Sequence, residues 1–358
     1  MFYREAGQFK TTYRADQALF PIRQDQIGIV VILLMAYCAV PLLASNFVID
    51  SILIPVLVYS LAAIGLNLLT GYTGLLSLGT GGFMGVGAFA CYKLTTFFPG
   101  VDIIVLIVCS GFVSAAAGIV FGLPSLRIKG FYLAVATLAA QFFLSWCFIR
   151  VPWLYNYNIS ASIEVPRRTL FGVPVTGPNA GSITRYLLVL SIVSVMTWLA
   201  SNLIRGRIGR TWMAVRDMDI AAELIGIQLY PTKLLAFAVS SFYCGVAGAM
   251  LVFLWLGNAE SESFSINQSF LVLFMVIIGG LGSLLGSFLG ASLIFGLPIV
   301  LRALRALFDI PVTSATLEHI NFMTLGVLII LFLIAEPNGL ARLWQVGKQK
   351  LRVWPFPY

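Results

Sequence analysis

The sequence predicts an all-α, polytopic integral membrane protein of about ten transmembrane helices (eight to ten), with both termini cytoplasmic. Composition is the first ground: 59% of the 358 residues are hydrophobic and 10% charged, whereas a soluble domain is about 25% charged. The second is a series of long uncharged windows, since a charged side chain at the bilayer centre costs about 2.5–3.5 kcal/mol. The third is the distribution of Lys and Arg, which favours alternate connecting segments.

Residues 1–26 are polar and contain Glu5, Asp16 and Asp25, unlike a cleavable signal or transit peptide. They read as a cytoplasmic segment, with the first span as insertion signal. Uncharged windows then run over 26–49, 51–92, 103–126, 130–149, 186–204, 234–259, 263–301 and 319–335. At about 1.5 Å per residue the windows 51–92 and 263–301 reach nearly twice the ~30 Å hydrocarbon core. Each must hold two helices. The breaks fall at Gly71-Tyr72-Thr73-Gly74 and at Gly279-Gly280-Leu281-Gly282-Ser283. The ten spans therefore lie near 27–44, 50–69, 75–98, 103–123, 131–149, 185–204, 234–256, 267–280, 284–301 and 319–335. Whether 75–98 and 267–280 cross fully or re-enter stays open at this stage. Residues 27–335 form the membrane domain, with a charged loop at 205–233, a long outer loop at 151–183 and a cytoplasmic tail at 336–358.

With ten spans and an inner N-terminus, 15 of the 22 Lys and Arg residues fall inside, Arg4, Lys10, Arg14, Arg127 and Lys129 among them, and seven outside. The net charge of +8 thus reads as topology and contact with anionic lipid, not nucleic-acid binding, because the basic residues are dispersed.

Chemistry is sparse. Cys38, Cys91, Cys109, Cys147 and Cys244 sit in apolar spans without C-x-x-C spacing and read as small hydrophobes. No phosphate-cradling G-x-x-x-x-G-K-[ST] and no H-E-x-x-H occurs, so nucleotide hydrolysis by this chain and a common metalloprotease pattern are excluded, and no metal ligands are assigned. The single histidine, His319, stands at the head of the last span and is given no role. No span interior holds a pair of ionisable residues, which disfavours an ion-coupled carrier. Asn67, Ser77, Gln141 and Asn267 are the polar residues left at span positions.

Glycines crowd both bends: Gly71, Gly74, Gly79 and Gly81 at the first, Gly279, Gly280, Gly282 and Gly286 at the second. Two readings stand side by side. Small residues permit close helix packing, and glycine turns can also expose backbone to a water-filled path. On the second reading these eight glycines, with Asn67, Ser77 and Ser283, border a translocation route. The shared order of span, bend and span further hints at an internal repeat relating 51–98 to 263–301.

Several separated motifs carry a resemblance. Asn67-Leu68-Leu69-Thr70-Gly71-Tyr72-Thr73-Gly74-Leu75-Leu76-Ser77-Leu78-Gly79, Leu123-Pro124-Ser125-Leu126-Arg127-Ile128-Lys129-Gly130, the loop from Gly209-Arg210 to Lys233, Ala247-Gly248-Ala249, Gly279 to Gly286, and Glu336-Pro337-Asn338-Gly339-Leu340 occur in this order. Together they resemble the branched-chain amino acid ABC-importer permeases of the LivM type. Within the loop, Ala221-Ala222-Glu223 followed by Gly226 is similar to the EAA motif of those permeases. The resemblance implies a coupling helix at Arg216, Asp217, Asp219, Ala221, Ala222, Glu223 and Gly226. It also implies a second homologous permease subunit, two ATPase subunits that hydrolyse ATP, an extracytoplasmic binding protein, and a bacterial-type inner membrane. This chain itself would bind no cofactor.

The stretch 158–166 departs from a glycine cluster usual in the family, which leaves urea, other amides and small carboxylates beside amino acids as cargo. A self-sufficient carrier or channel is the competing class. In the outer loop, Arg167 and Arg168 run against the charge bias and are expected to pair with acidic residues of the binding protein, beside the aromatic Trp153, Tyr155, Tyr157 and Phe171.

Overall fold

The computed structural model describes residues 11–12, 23–126, 131–158, 162–170, 173–177, 180–308, 314–336 and 338–353. Arg4, Lys10, Arg14, Arg127, Lys129 and Phe171 lie outside them, as do parts of the N-terminal segment and of stretch 158–166. Among the described residues, nine helices are long and apolar enough to cross a membrane. They are α1 (Gln26–Leu43), α2 (Asn46–Thr73), α4 (Ile103–Ser125), α5 (Tyr132–Arg150), α6 (Ser182–Arg205), α9 (Leu229–Leu256), α10 (Ser261–Gly279), α11 (Leu284–Arg305) and α12 (Thr316–Ala335). Helix α3 (Thr80–Phe97) separates α2 from α4. Helices α7 (Arg207–Asp217) and α8 (Asp219–Leu224) join α6 to α9, and α13 (Gly339–Val353) follows α12.

Proline explains two of the local departures from α geometry, though not the π turn at Leu251–Leu256. Wide π turns at Met35–Ala39 and Ile49–Leu53 stand just before Pro41 and Pro55. A proline ring clashes with the carbonyl one turn earlier and offers no N–H, so the preceding turn opens instead of breaking.

Helices α2 and α9 form the enclosed centre, while α1 and α12 lie at the edge with most of their side chains bare. In lipid, contact between helices depends on close packing more than on hydrophobic transfer. Small residues set that distance here. A Cβ on Gly87 of α3 would overlap the backbone of Gly245 in α9, one on Gly248 would overlap Met84 in α3, and one on Gly118 of α4 would overlap Ser241.

The span near 75–98, left open between crossing and re-entry, is not one continuous helix. Residues 74–79 are not helical, and α3 starts only at Thr80. Its first amides are taken by side chains from other helices. Gly81 N–H donates to Ser269 Oγ at 2.8 Å, Gly82 N–H donates to Gln141 Oε1, and Leu78 N–H donates to Thr137 Oγ1 at 2.9 Å. Gln141 stands about 15 Å along α5 from Phe131, and so near the middle of a ~30 Å core. Helix α3 therefore begins at mid-depth, reached by an extended segment whose polar groups meet protein partners, as irregular backbone within a membrane requires. The opposite amide face of Gln141 donates to Phe264 O at 2.7 Å, at the turn that opens α10.

At the far end of α3, the loop from 151 to 181 carries two small β ladders. Strand β1 (Ser162–Glu164) pairs antiparallel with β4 (Asn258–Glu260), which leads from α9 toward α10, and β2 (Thr169–Leu170) pairs with β3 (Val173–Pro174). Lys93 of α3 hydrogen-bonds Asn156 Oδ1 and lies 4.3 Å from the Trp153 ring centroid.

Replacing Gln141 with Leu leaves the Gly82 amide and the Phe264 carbonyl unpaired, at about 1–3 kcal/mol for each buried orphan. The purified protein in detergent should melt at a clearly lower temperature than the parent. Equal melting temperatures would remove Gln141 as the cap of α3.

Candidate functional site

The charged loop folds into two helices because its apolar residues are spaced for it. In α7, Trp212 and Val215 are buried while Arg207 and Arg210 face outward. The Trp212 indole N–H donates to Thr232 O at 3.2 Å and seats α7 on the first turns of α9. Helix α8 is one and a half turns long and closes in a Schellman arrangement. Ile227 N–H bonds Ala222 O at 3.0 Å, Gly226 N–H bonds Glu223 O at 3.0 Å, and Gly226 adopts φ 90°. Such a left-handed cap favours glycine. Asp219 in the first turn of α8 pairs with Lys233 Nζ at 3.8 Å, which ties the short helix to α9.

What α8 leaves bare is apolar. Met218, Ile220, Leu224 and Ile225 are between 67% and 84% exposed, on the short connection between two membrane-crossing helices. Ala221 and Glu223 are exposed beside them, whereas Ala222 is buried against the chain's own body. The bare surface is thus wider and more hydrophobic than an alanine pair. The signal was present in the sequence as four large apolar residues clustered within a charged loop.

Arg216 connects this surface to the membrane domain. Its Nη1 donates to Gly71 O at 2.9 Å, near the C-terminus of α2, while its Nε and Nη2 hold Asp217 Oδ1, each at 2.9 Å. A cation on the last carbonyls of a helix is favoured by both hydrogen bonding and the helix dipole. Its aliphatic stem lies against Gly74, where an added Cβ would come within 3.0 Å of Arg216 Cγ. Gly74 ends α2 at φ 74°, so glycine serves there in backbone freedom and in space.

The two glycine bends, about 200 residues apart in sequence, touch at this point. A Cβ on Gly71 would overlap the Gly282 amide. Asn67, fully buried in α2, clamps the pair: its Oδ1 accepts from Gly282 N–H at 2.8 Å, and its Nδ2 donates to Ser283 O at 2.8 Å and Ser287 Oγ at 3.1 Å. Ser283 Oγ accepts from Gly286 N–H at 3.1 Å and caps the start of α11. Gly279 and Gly286 press backbone to backbone, and Gly280 lies against Asn338 O. Gly79 and Gly81 belong to a separate cluster, under Thr137 O and Ser265 O respectively, and Ser77 is buried beside them, its Oγ 3.4 Å from the Gly79 amide. The structure therefore gathers Asn67, Gly71, Gly74, Gly282, Ser283 and Arg216 into one node and sets Ser77, Gly79 and Gly81 nearer mid-depth.

Arg167 and Arg168 sit on the loop at the other end of the bundle and differ in surroundings. Arg168 donates to Thr95 O and Pro99 O, covering the C-terminal carbonyls of α3, and its own amide donates to Thr176 Oγ1 at 2.8 Å. Arg167 is exposed. Both border a surface cavity of about 420 Å³ with Pro99, Asp102, Pro174 and Thr176. His319 is exposed on α12. Among the described residues, no three or more His, Cys, Asp or Glu side chains come together to hold a metal.

Comparison with known proteins adds the context. Residues 48–335 match the family described as branched-chain amino acid transport system, permease component. The chain is 30% identical over 331 residues to the high-affinity branched-chain amino acid transport system permease protein LivM of Salmonella typhimurium, covering 86% of this chain and 73% of that protein. It is 30% identical over 333 residues to the protein of that name from Escherichia coli, covering 87% and 73%. A probable branched-chain amino acid transport permease protein LivM from Methanocaldococcus jannaschii is 26% identical over 251 residues, covering 67% and 69%. No solved structure matches the chain.

The two arginines should separate on mutation. Arg168→Glu strips the α3 carbonyls of their donor and places a negative charge at a helix C-terminus, which lowers the thermal midpoint and the amount of protein in the membrane. Arg167→Glu should change neither. Equal effects of both substitutions would show that the Arg168 hydrogen bonds carry no stability.

Proposed function

Because the chain belongs to the family of permease components of branched-chain amino acid transport systems, we propose that it is the membrane-embedded permease subunit of an ABC importer for branched-chain or closely related amino acids. Being a transport component, it leaves ATP hydrolysis to partner subunits. The observation that carries the reading is the bare apolar tip of α8, joined through Arg216 to the contact between the two glycine bends. An importer driven from outside itself needs such a surface, and a self-sufficient carrier has no use for one.

On this reading α8 enters a groove of an ATPase subunit, with Met218, Ile220, Ala221, Leu224 and Ile225 as contact face and Glu223 at its rim. The loop 205–233 and both termini then lie in the cytoplasm, and the chain resides in a bacterial-type inner membrane. A second homologous permease would pair with it, two ATPases would drive the pair, and an extracytoplasmic binding protein would deliver the solute. Arg167 is the arginine free to meet that protein, since Arg168 is engaged with α3. The translocation route is proposed to run past the node of Asn67, Gly71, Gly74, Gly282 and Ser283 and past Ser77, Gly79, Gly81, Gly279, Gly280 and Gly286, with the bends moving as packed units. The amino-acid cargo rests on the names of the relatives.

Leu224→Glu places a charge in the docking face without touching a span. ATPase subunits should no longer co-purify with the permease, and uptake of radiolabelled leucine should fall to background at normal membrane abundance. Retained co-purification with normal uptake would sink the docking assignment. A cysteine in place of Met218, in a background lacking the native cysteines, should react with an impermeant maleimide only after the membrane is opened from the cytoplasmic side. Labelling of intact cells from outside would reverse the orientation.

A further inference from the structure

The last of the described helices, α13, is amphipathic and basic. Its sequence GLARLWQVGKQKLRV contains Arg342, Lys348, Lys350 and Arg352 and no acidic residue. At 100° per residue, Leu340, Leu343, Trp344 and Gly347 share one face, Lys348 and Lys350 flank that face on either side, and Arg342, Gln345 and Gln349 occupy the opposite one. An apolar stripe bordered by lysines is the pattern of a helix lying in a membrane interface, where the long stems run along the acyl boundary and the ammonium groups reach the headgroups.

The position of α13 in the fold agrees with that pattern. Its first turn is fixed to the bundle at the level where α10 and α11 meet. Gly339 turns the chain at φ 70° and packs directly on Gly280, Ala341 is buried against the same glycine, and Leu340 packs on the core. Arg342 pairs with Glu336 at 3.3 Å, bracing the turn that leaves α12 at Ala335. One turn later the face that held Leu340 is bare: Trp344 is 60% and Leu343 48% exposed. The helix thus leaves the bundle close to the end of a membrane-crossing helix, with its apolar stripe uncovered and its basic residues on the flanks. Gly280 is two residues from Gly282, which touches Gly71, whose carbonyl holds Arg216. Helix α13 and the α7–α8 pair therefore share one end of the bundle.

We propose that α13 is an interfacial anchor for anionic phospholipids in the leaflet at the α7–α8 end. Leu343 and Trp344 enter the acyl boundary, and the exposed Lys350 binds headgroup phosphates. The charge complementarity and the placement beside the end of α12 select a lipid surface over a soluble partner.

Trp344 supplies the test. The purified assembly is placed in nanodiscs containing lipids brominated on the acyl chains, with either phosphatidylglycerol or phosphatidylcholine headgroups. Emission of the Trp344→Phe variant is subtracted to isolate the one tryptophan. Quenching of Trp344 should be strong in phosphatidylglycerol, weak in phosphatidylcholine, and reduced by high salt. The substitution Lys350→Gln should lower the ratio of bound to free helix about 5-fold, at roughly 1 kcal/mol per charge near an anionic surface. Leu343→Gln, which leaves every charge in place, should reduce quenching as well. Equal quenching in both lipids overturns the anionic preference. Absence of quenching overturns the anchor altogether, as does protection of Trp344 by added ATPase subunits, which would assign the face to a protein.

Discussion

The contact of Gly71 with Gly282 is the constraint on which the arrangement at the α7 end depends. Two helix ends can approach backbone to backbone only where neither carries a side chain, and in a bilayer no hydrophobic force compensates for a poorer fit. Once the bends are that close, their freed backbone groups must be satisfied by protein. Asn67 answers with both halves of its amide, accepting from one bend residue and donating to the next. Arg216 answers from outside the membrane domain by taking the Gly71 carbonyl. The hydrogen bond from a charged group is worth about 1.5–3 kcal/mol, against at most about 1 kcal/mol for the exposed pair with Asp217. The strut to α2 is the stronger of the two.

The same rule governs the middle of the membrane. Helix α3 can start at mid-depth because Gln141 and Ser269 take its first amides and Thr137 takes the amide of the segment before it. The two bends are consequently unlike. The first carries an extended segment from the α7 end to mid-depth, while the second turns sharply at Gly280 and Gly282 and restarts a helix at Leu284. Whatever repeat relates 51–98 to 263–301 is not preserved in the shape of the bends.

Much of this was legible in the sequence, and for definite reasons. Lipid forbids charge in a span, so uncharged windows mark the helices to within a few residues, and the count of nine with α3 beside them falls in the expected range. Glycine runs announce close packing, and Gly226 ends α8 as its place after Ala-Ala-Glu implies. The misses share another cause. That Ala222 faces inward, that Arg168 caps α3, and that Gln141 is the pivot of the mid-depth helix all depend on partners distant in the chain, which local spacing cannot identify. Whether residues 75–98 cross fully or re-enter stayed open in the sequence because their glycines and threonines say nothing of where the helix starts, which the structure places at Thr80.

The geometry also bears on how a push at α8 could travel. Helix α8 is tied to α9 by the Asp219–Lys233 pair, and α7 is seated on α9 by Trp212 and on α2 by Arg216. Displacing α8 therefore acts on the two most enclosed helices of the bundle, on α9 through the ion pair and on α2 through the Arg216 hydrogen bond to Gly71. Packed backbone is not continuously deformable, because a gap of even 1 Å forfeits much of the dispersion energy. A load delivered there is relieved by shifting the bends as a unit against their neighbours. Close packing and the proposed place beside a route are therefore compatible properties of the same glycines, because a tightly packed node moves as one body.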